Sequence, residues 1–275
     1  PSGLDRDGAG RVAGPDDAWG WGRFEGQGAM ALLSRWPVDA AGSRSFRQLR
    51  WRDLPGRRMP VTSDGTPFPE SEVAAELRLS SHSLWDLEVE TPIGPLRILA
   101  GHATPPVFDG PEDRNGLRNH DEIAFFNSYL SGVEFPDDRG REAPFGGGHF
   151  VLMATLNADP VDGEARRGAL RELLAHPSLQ DPRPVSRGAM VAARLQGGAN
   201  SRQLGPAALD TADWRDVDGP GNLRADYVLP SAGLEVLDAG VFWPAPGEDG
   251  YELVGDGAER VSSDHRLVWV DIALP

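Results

Sequence analysis

The hexapeptide Ser262-Ser263-Asp264-His265-Arg266-Leu267 runs straight into the apolar stretch Val268-Trp269-Val270. A carboxylate beside a histidine, just ahead of a strand, can hold an imidazole in one tautomer and present it to a substrate. That is what hydrolytic chemistry asks of a general acid or base. Ser-Asp-His also occurs in ordinary turns, so the segment gains meaning only in company. Three other polar residues mark strand ends in the same way. Gly101-His102 follows the apolar run Leu96–Ala100, Asn157-Ala158-Asp159-Pro160 follows Phe150–Met153, and Asp226 opens Asp226-Tyr227-Val228-Leu229.

The elements that must position these residues follow from hydrophobic period. Ala29–Ser34 reads as a buried strand, and a second strand falls near Arg44–Trp51 with Phe46 and Leu49 inward. Trp85, Leu87 and Val89 alternate with Asp86, Glu88 and Glu90, which predicts a strand with its acidic side outward. The Thr91–Pro95 turn then predicts a hairpin with Leu96–Ala100. Glu72–Leu79 reads as a short helix. Ile123, Phe126 and Leu130 recur at helical spacing over Asn119–Leu130. A further helix is expected over Glu164–Ala175, with Asp162 as N-cap and a stop before Pro177. Asp226–Leu229, Leu234–Phe242 and Leu267–Ile272 complete the strands. Residues 1–27, 52–70 and 176–221 carry Gly, Pro and Asp without apolar period and read as loops. Two groups of short strands with helices outside them predict an α+β fold, a four-layered α/β sandwich of two mainly antiparallel sheets packed face to face.

A chain of 275 residues fits one domain, 1–275, better than two. No apolar run approaches the ~18–20 residues of a membrane-spanning helix. There is no cysteine, which excludes disulfides, thiolate metal sites and a cysteine nucleophile. Net charge is −15, and all 27 basic residues are arginine. Avid binding of duplex DNA by the whole chain is therefore not expected, because such binding works through cations paired with phosphates. Abundant Ala, Gly, Pro and Arg with scarce Ile suggest a GC-rich bacterial genome. Asp5-Arg6-Asp7-Gly8-Ala9-Gly10 with Asp16 loosely resembles a calcium loop, but Ala9 stands at a ligand position, which favours an Asp/Gly turn.

Taken in order, strand-His, strand-Asn-Ala-Asp, Asp-Tyr-Val-Leu and Ser-Asp-His, the chain resembles the endonuclease/exonuclease/phosphatase superfamily, the deoxyribonuclease I-like proteins. The resemblance covers essentially the whole chain, most strongly from residue 95 onward. It is closest to a poorly characterised bacterial branch, with long matches at His102–Asp113, Leu209–Trp214, Asn222–Pro230 and Ser262–Val270. It implies water attacking a phosphate ester with Mg2+ or Mn2+, or Ca2+, as cofactor. It also implies catalytic roles for His102, Asn157, Asp226, Asp264 and His265, with Asp264 fixing the His265 ring and Asp226 and Asp264 as metal ligands. Arg114, Asn115, Arg118, Asn119 and Arg224 are placed to hold substrate phosphate; a solvated helix start is the alternative for the first four. Asn157 is equally a turn former ahead of Asp159-Pro160. His82, His120, His149 and His176 lack strand-end context.

Two departures set the hypotheses apart. Where the family reads Gly-Asp-x-Asn, this chain reads Ala154-Thr155-Leu156-Asn157, and threonine is no base near neutral pH. The family's Asn on an early strand and its metal-binding Glu on a second strand are not supplied either, so the expectation is a domain lacking its first strands. The leading expectation is a divergent metal-dependent phosphoric ester hydrolase, a phosphodiesterase, phosphatase or nuclease. Its substrate would be a small molecule or single-stranded nucleic acid. The alternative is a catalytically impaired homologue acting as a binding module. A calcium-stabilised structural domain ranks last. The resemblance also implies export, although residues 1–30 carry no signal-peptide pattern.

Overall fold

The computed structural model describes residues 1–256 and 261–273. Its centre is a five-stranded sheet. The strands are β1 (Val38–Ser45), β2 (Leu84–Thr91), β3 (Gly94–His102), β4 (Phe150–Thr155) and β5 (Asp226–Pro230), hydrogen-bonded in that order. All neighbours are antiparallel except β3 and β4. Two further strands, β6 (Glu235–Phe242) and β7 (Leu267–Ala273), pair as an antiparallel ribbon.

Three apolar contacts stack these elements into four layers. One face of the sheet gives Leu99, Phe150, Leu152 and Leu229 to a core shared with helices α2 (Arg114–Leu130) and α3 (Gly168–Leu174), through Ile123, Phe125, Phe126, Leu170 and Leu173. Each fully buried Phe or Leu there contributes roughly 1.5–3 kcal/mol. The other face gives Val89, Ile98, Val151 and Val228 to the ribbon's Val268, Val270 and Ile272. Helix α4 (Arg187–Gln196) covers the ribbon's outer side, Ala189 and Ala192 packing with Val241 and Trp243. The mixed α+β, four-layered architecture expected from the sequence is what the chain adopts.

Several local expectations are corrected. Ala29–Ser34 forms no strand: it runs beside the sheets without ladder bonds, and Leu33 is exposed while Leu32 packs on the second core. The next strand lies earlier than expected, at Val38–Ser45, although Phe46 and Leu49 are buried as read. The short helix, α1, spans Ser71–Glu76. Asp86 does not face water. It is fully buried, bonded to Arg97 Nε at 2.7 Å and to the Tyr129 hydroxyl at 2.6 Å, because both faces of β2 are covered. Asp162 does not cap α3, which starts at Gly168; its carboxylate instead accepts the Leu204 and Gly205 N–H groups. Residues 176–221 contain α4, N-capped by Ser186, whose hydroxyl accepts from Ala189 N–H at 3.0 Å.

Candidate active site

Strand register builds the site. In the ladders His102 of β3 stands opposite Thr155 of β4, and Thr155 stands opposite Asp226 of β5. Three polar side chains thus form one row at one end of adjacent strands, which lie about 4.8 Å apart. An isolated bridge between Ala212 and His265 brings the last histidine to the same end, just before β7. A cleft of about 330 Å³ opens there between the sheet and the ribbon, lined by His102, Thr155, Asp226 and Arg266 among apolar neighbours.

Asp226 is the hub. Its Oδ1 accepts the Thr155 hydroxyl at 2.7 Å and its Oδ2 the Thr211 hydroxyl at 2.8 Å. His265 Nδ1 lies 2.9 Å from Oδ2 and 3.1 Å from Oδ1. The carboxylate that fixes the His265 ring is therefore Asp226, not Asp264, and the expected Asp264–His265 pairing is corrected. Asp264 adds its charge to that of Asp226 in raising the His265 pKa, and its backbone carbonyl accepts Asp213 N–H. Trp214 meets the imidazole edge-on at 5.4 Å. Thr211 is braced in turn, its Oγ1 accepting the Ala225 and Asp226 N–H groups at 2.9 Å.

The two histidines are driven apart electrostatically. Burial pushes His265 down, but the hydrogen bond and charge of Asp226 outweigh it, and its pKa is raised. His102 is held down at about 4, first by burial, then by the neighbouring His82 and His265. His82 stacks on His102 with ring centroids 4.2 Å apart and planes 8° from parallel. Its Nδ1 is 3.0 Å from Ser81 Oγ. The His265 imidazole is thus biased toward its protonated form and the His102 imidazole toward its neutral form. Such a division assigns acid and base roles.

The other expected residues sit elsewhere. Asn157 adopts a left-handed φ of 48° and its amide donates to the Ala103 carbonyl at 2.9 Å, tying the ends of β3 and β4 together. Asn119 is fully buried and donates to the Thr104 and Leu156 carbonyls, clamping the same two strand exits from α2. Asn115 donates to the Val107 and Phe108 carbonyls, and Arg114 to the Arg6 carbonyl. Arg118 is buried over the Trp51 ring, and Arg224 is buried and donates two hydrogen bonds to the Asp181 carboxylate. None of these five lines the cleft, and each makes the contacts given above.

The cleft residues do not fit a divalent ion, which needs several free oxygen ligands. Both Asp226 oxygens are occupied. Among the described residues, ligand atoms from three or more His, Asp or Glu side chains come within 4.8 Å of one another only at Asp5, Asp7 and Asp17. There the third acid is Asp17 rather than the expected Asp16, and its oxygens accept Arg6 and Ala13 N–H groups.

The fold thus gathers a histidine–carboxylate cluster at the ends of neighbouring sheet strands. The model of the endonuclease/exonuclease/phosphatase family matches residues 2–265, and the chain belongs to that family. Among solved structures it is similar to an endonuclease/exonuclease/phosphatase from Beutenbergia cavernae DSM 12333. Identity is 19%, the TM-score is 0.46, and the match covers 88% of this chain and 46% of that one. It is also similar to the Bacteroides thetaiotaomicron mannosyl-6-phosphatase Bt3783, at 14% identity, TM-score 0.37 and coverage of 70% and 56%. A third is the 3′ phosphatase NExo from Neisseria bound to a product DNA hairpin, at 15%, 0.38 and coverage of 69% and 65%. The chain spans about half the length of the first of these. No curated protein matches it.

Proposed function

We propose that the chain hydrolyses phosphoric esters at the cleft between sheet and ribbon. The observation that carries this is the His265–Asp226 contact, made at the end of the same strand row that presents His102. His265, whose protonated form Asp226 favours, donates to the phosphoryl or leaving oxygen as negative charge builds there. His102, kept neutral, is positioned to take a proton from the attacking water, the task Thr155 cannot perform. Asp226 is a positioning residue for His265. The family generally depends on divalent metal, and the described acidic cluster is Asp5, Asp7 and Asp17. Because the cleft does not fit an ion, no step is assigned to one here.

The second reading, a binding module with impaired chemistry, is favoured by one observation: Thr155 spends its hydroxyl on Asp226 where a base would stand. Hydrolysis of bis(p-nitrophenyl) phosphate with Mg2+, Mn2+ or Ca2+ separates the two. Turnover by the native chain, lost in His265→Ala, supports the hydrolase. A silent native chain that gains turnover in Thr155→Asp supports the impaired homologue.

A further inference from the structure

A second, larger groove of about 1310 Å³ adjoins the cleft, and Met30 and Trp85 line both. Its wall includes His82, the ring stacked on His102, so the two cavities meet at the cleft histidines. The N-terminal loop gives the groove Trp21 and Phe24, which are 53% and 70% exposed. Two large rings left this open side by side in one groove invite a stacking partner.

The groove is also locally cationic in a protein of net charge −15. Arg23, Arg47 and Arg78 line it, and among the described residues none of the three has a carboxylate partner within ion-pair distance. Arg78 instead lies over the Trp19 ring at 4.1 Å, and Arg23 lies 5.8 Å from the Trp21 ring centroid. Two acids share the wall. Asp138 turns its oxygens onto the Ser45 hydroxyl and the Arg47 and Gln48 N–H groups; Glu25 is the other. Three unpaired guanidiniums next to two open aromatic rings match a ligand that alternates negative charges with flat rings. A neutral glycan would use the rings and leave the cations without partners.

We infer that this groove is a track for single-stranded nucleic acid. Bases stack on Trp21 and Phe24, neighbouring phosphates lie along Arg23, Arg47 and Arg78, and the strand enters the cleft past Met30 and Trp85. Sequence-independent single-strand binding is built from these two kinds of contact. The inference rests on the phosphoric ester reading only for what happens to the strand at His265; binding itself does not depend on it.

The test is fluorescence anisotropy of a labelled oligothymidylate of about eight nucleotides, with the full chain in EDTA and the strand checked by gel for cleavage after each titration. Binding that weakens with salt is expected. It should fall about tenfold or more in Trp21→Ala and in Phe24→Ala, the scale of one lost base stack. Arg47→Gln and Arg78→Gln should each reduce the salt slope by a little under one. The two aromatic side chains are exposed, so the far-UV spectra of those variants should match the native chain. Absence of binding, equal affinity in the aromatic variants, or displacement by an uncharged oligosaccharide would overturn the inference. Oligonucleotide binding beside a chain inert on bis(p-nitrophenyl) phosphate would uphold the track and sink the hydrolase reading. Turnover without oligonucleotide binding would do the reverse.

Discussion

At the scale of single residues, Asp226 governs the cleft because one carboxylate serves three donors. In Asp226→Asn the His265 pKa should drop, since the hydrogen bond and charge that raise it are gone. Any hydrolysis that depends on a positioned acid should fall by on the order of 10²–10⁴. An NMR titration of the His265 ring, run beside initial rates, checks both. Thr155→Asp removes the hydroxyl donor and sets a second negative charge against Asp226. It should cost about 1–3 kcal/mol, recovered when Mn2+ binds the new carboxylate pair. Thermal unfolding with and without the ion reads this directly, and an unshifted, ion-indifferent midpoint would contradict it. Two buried groups give opposite pH slopes. His102 has a folded pKa of about 4 against an ordinary 6.5, so the unfolded chain binds more protons between those values. Stability from His102 is therefore lost as pH falls through that window. Asp210 is raised from 3.8 to about 8, first by burial and then by Asp159 and Asp162. Here the folded chain holds the extra proton, so stability is lost as pH rises from 3.8 to about 8. His102→Gln should flatten the first slope and Asp210→Asn the second, measured by denaturant midpoints across pH. The strand-end residues themselves were legible, since each ends an apolar run. Which carboxylate meets which ring was not, because Asp226 and His265 are 39 positions apart and only the ladder and the Ala212–His265 bridge bring them together. The contacts of Arg114, Asn115, Arg118 and Asn119 were not legible for a related reason. A polar helix start reads the same in sequence whether its side chains face a ligand or tie down neighbouring carbonyls.

At the scale of elements, the strands flanking the site were readable from alternation and the helices from 3.6-residue spacing. The errors arose where tertiary cover overrides pattern. Asp86 has the sequence position of a surface acid, yet the core around Tyr129 closes over it. Helix α4 went unread although its punctuation is present: Ser186 at the N-cap and Gly197 just past the end. Its Ala- and Gly-rich face, needed for close approach, carries too little apolar signal. That closeness is testable. A Cβ on Gly188 would come within 1.9 Å of the Trp243 carbonyl oxygen. Gly188→Ala should therefore push α4 off the ribbon, at a cost of about 1–3 kcal/mol or more. Faster hydrogen exchange confined to α4 and β6 would show it; an unaltered pattern would mean the contact is slack.

At the scale of the whole molecule, the net charge of −15 repels itself across a compact body. Adding salt to about 0.15 M, where the screening length is about 8 Å, should raise the unfolding temperature, even as it weakens any anion held in the arginine-lined groove. The two effects have opposite sign and one titration separates them. Reductant should leave unfolding unchanged, as the chain has no cysteine.

The row of His102, Thr155 and Asp226 carries one more consequence. Side chains alternate across a strand, so a slip of β5 by a single residue would turn Asp226 to the helix side and put Tyr227 in its place. Such a chain would keep its ladders, its helices and its far-UV spectrum. It would be a silent misfold, invisible to any assay of folding that counts secondary structure, and detectable only by whether His265 still finds its carboxylate.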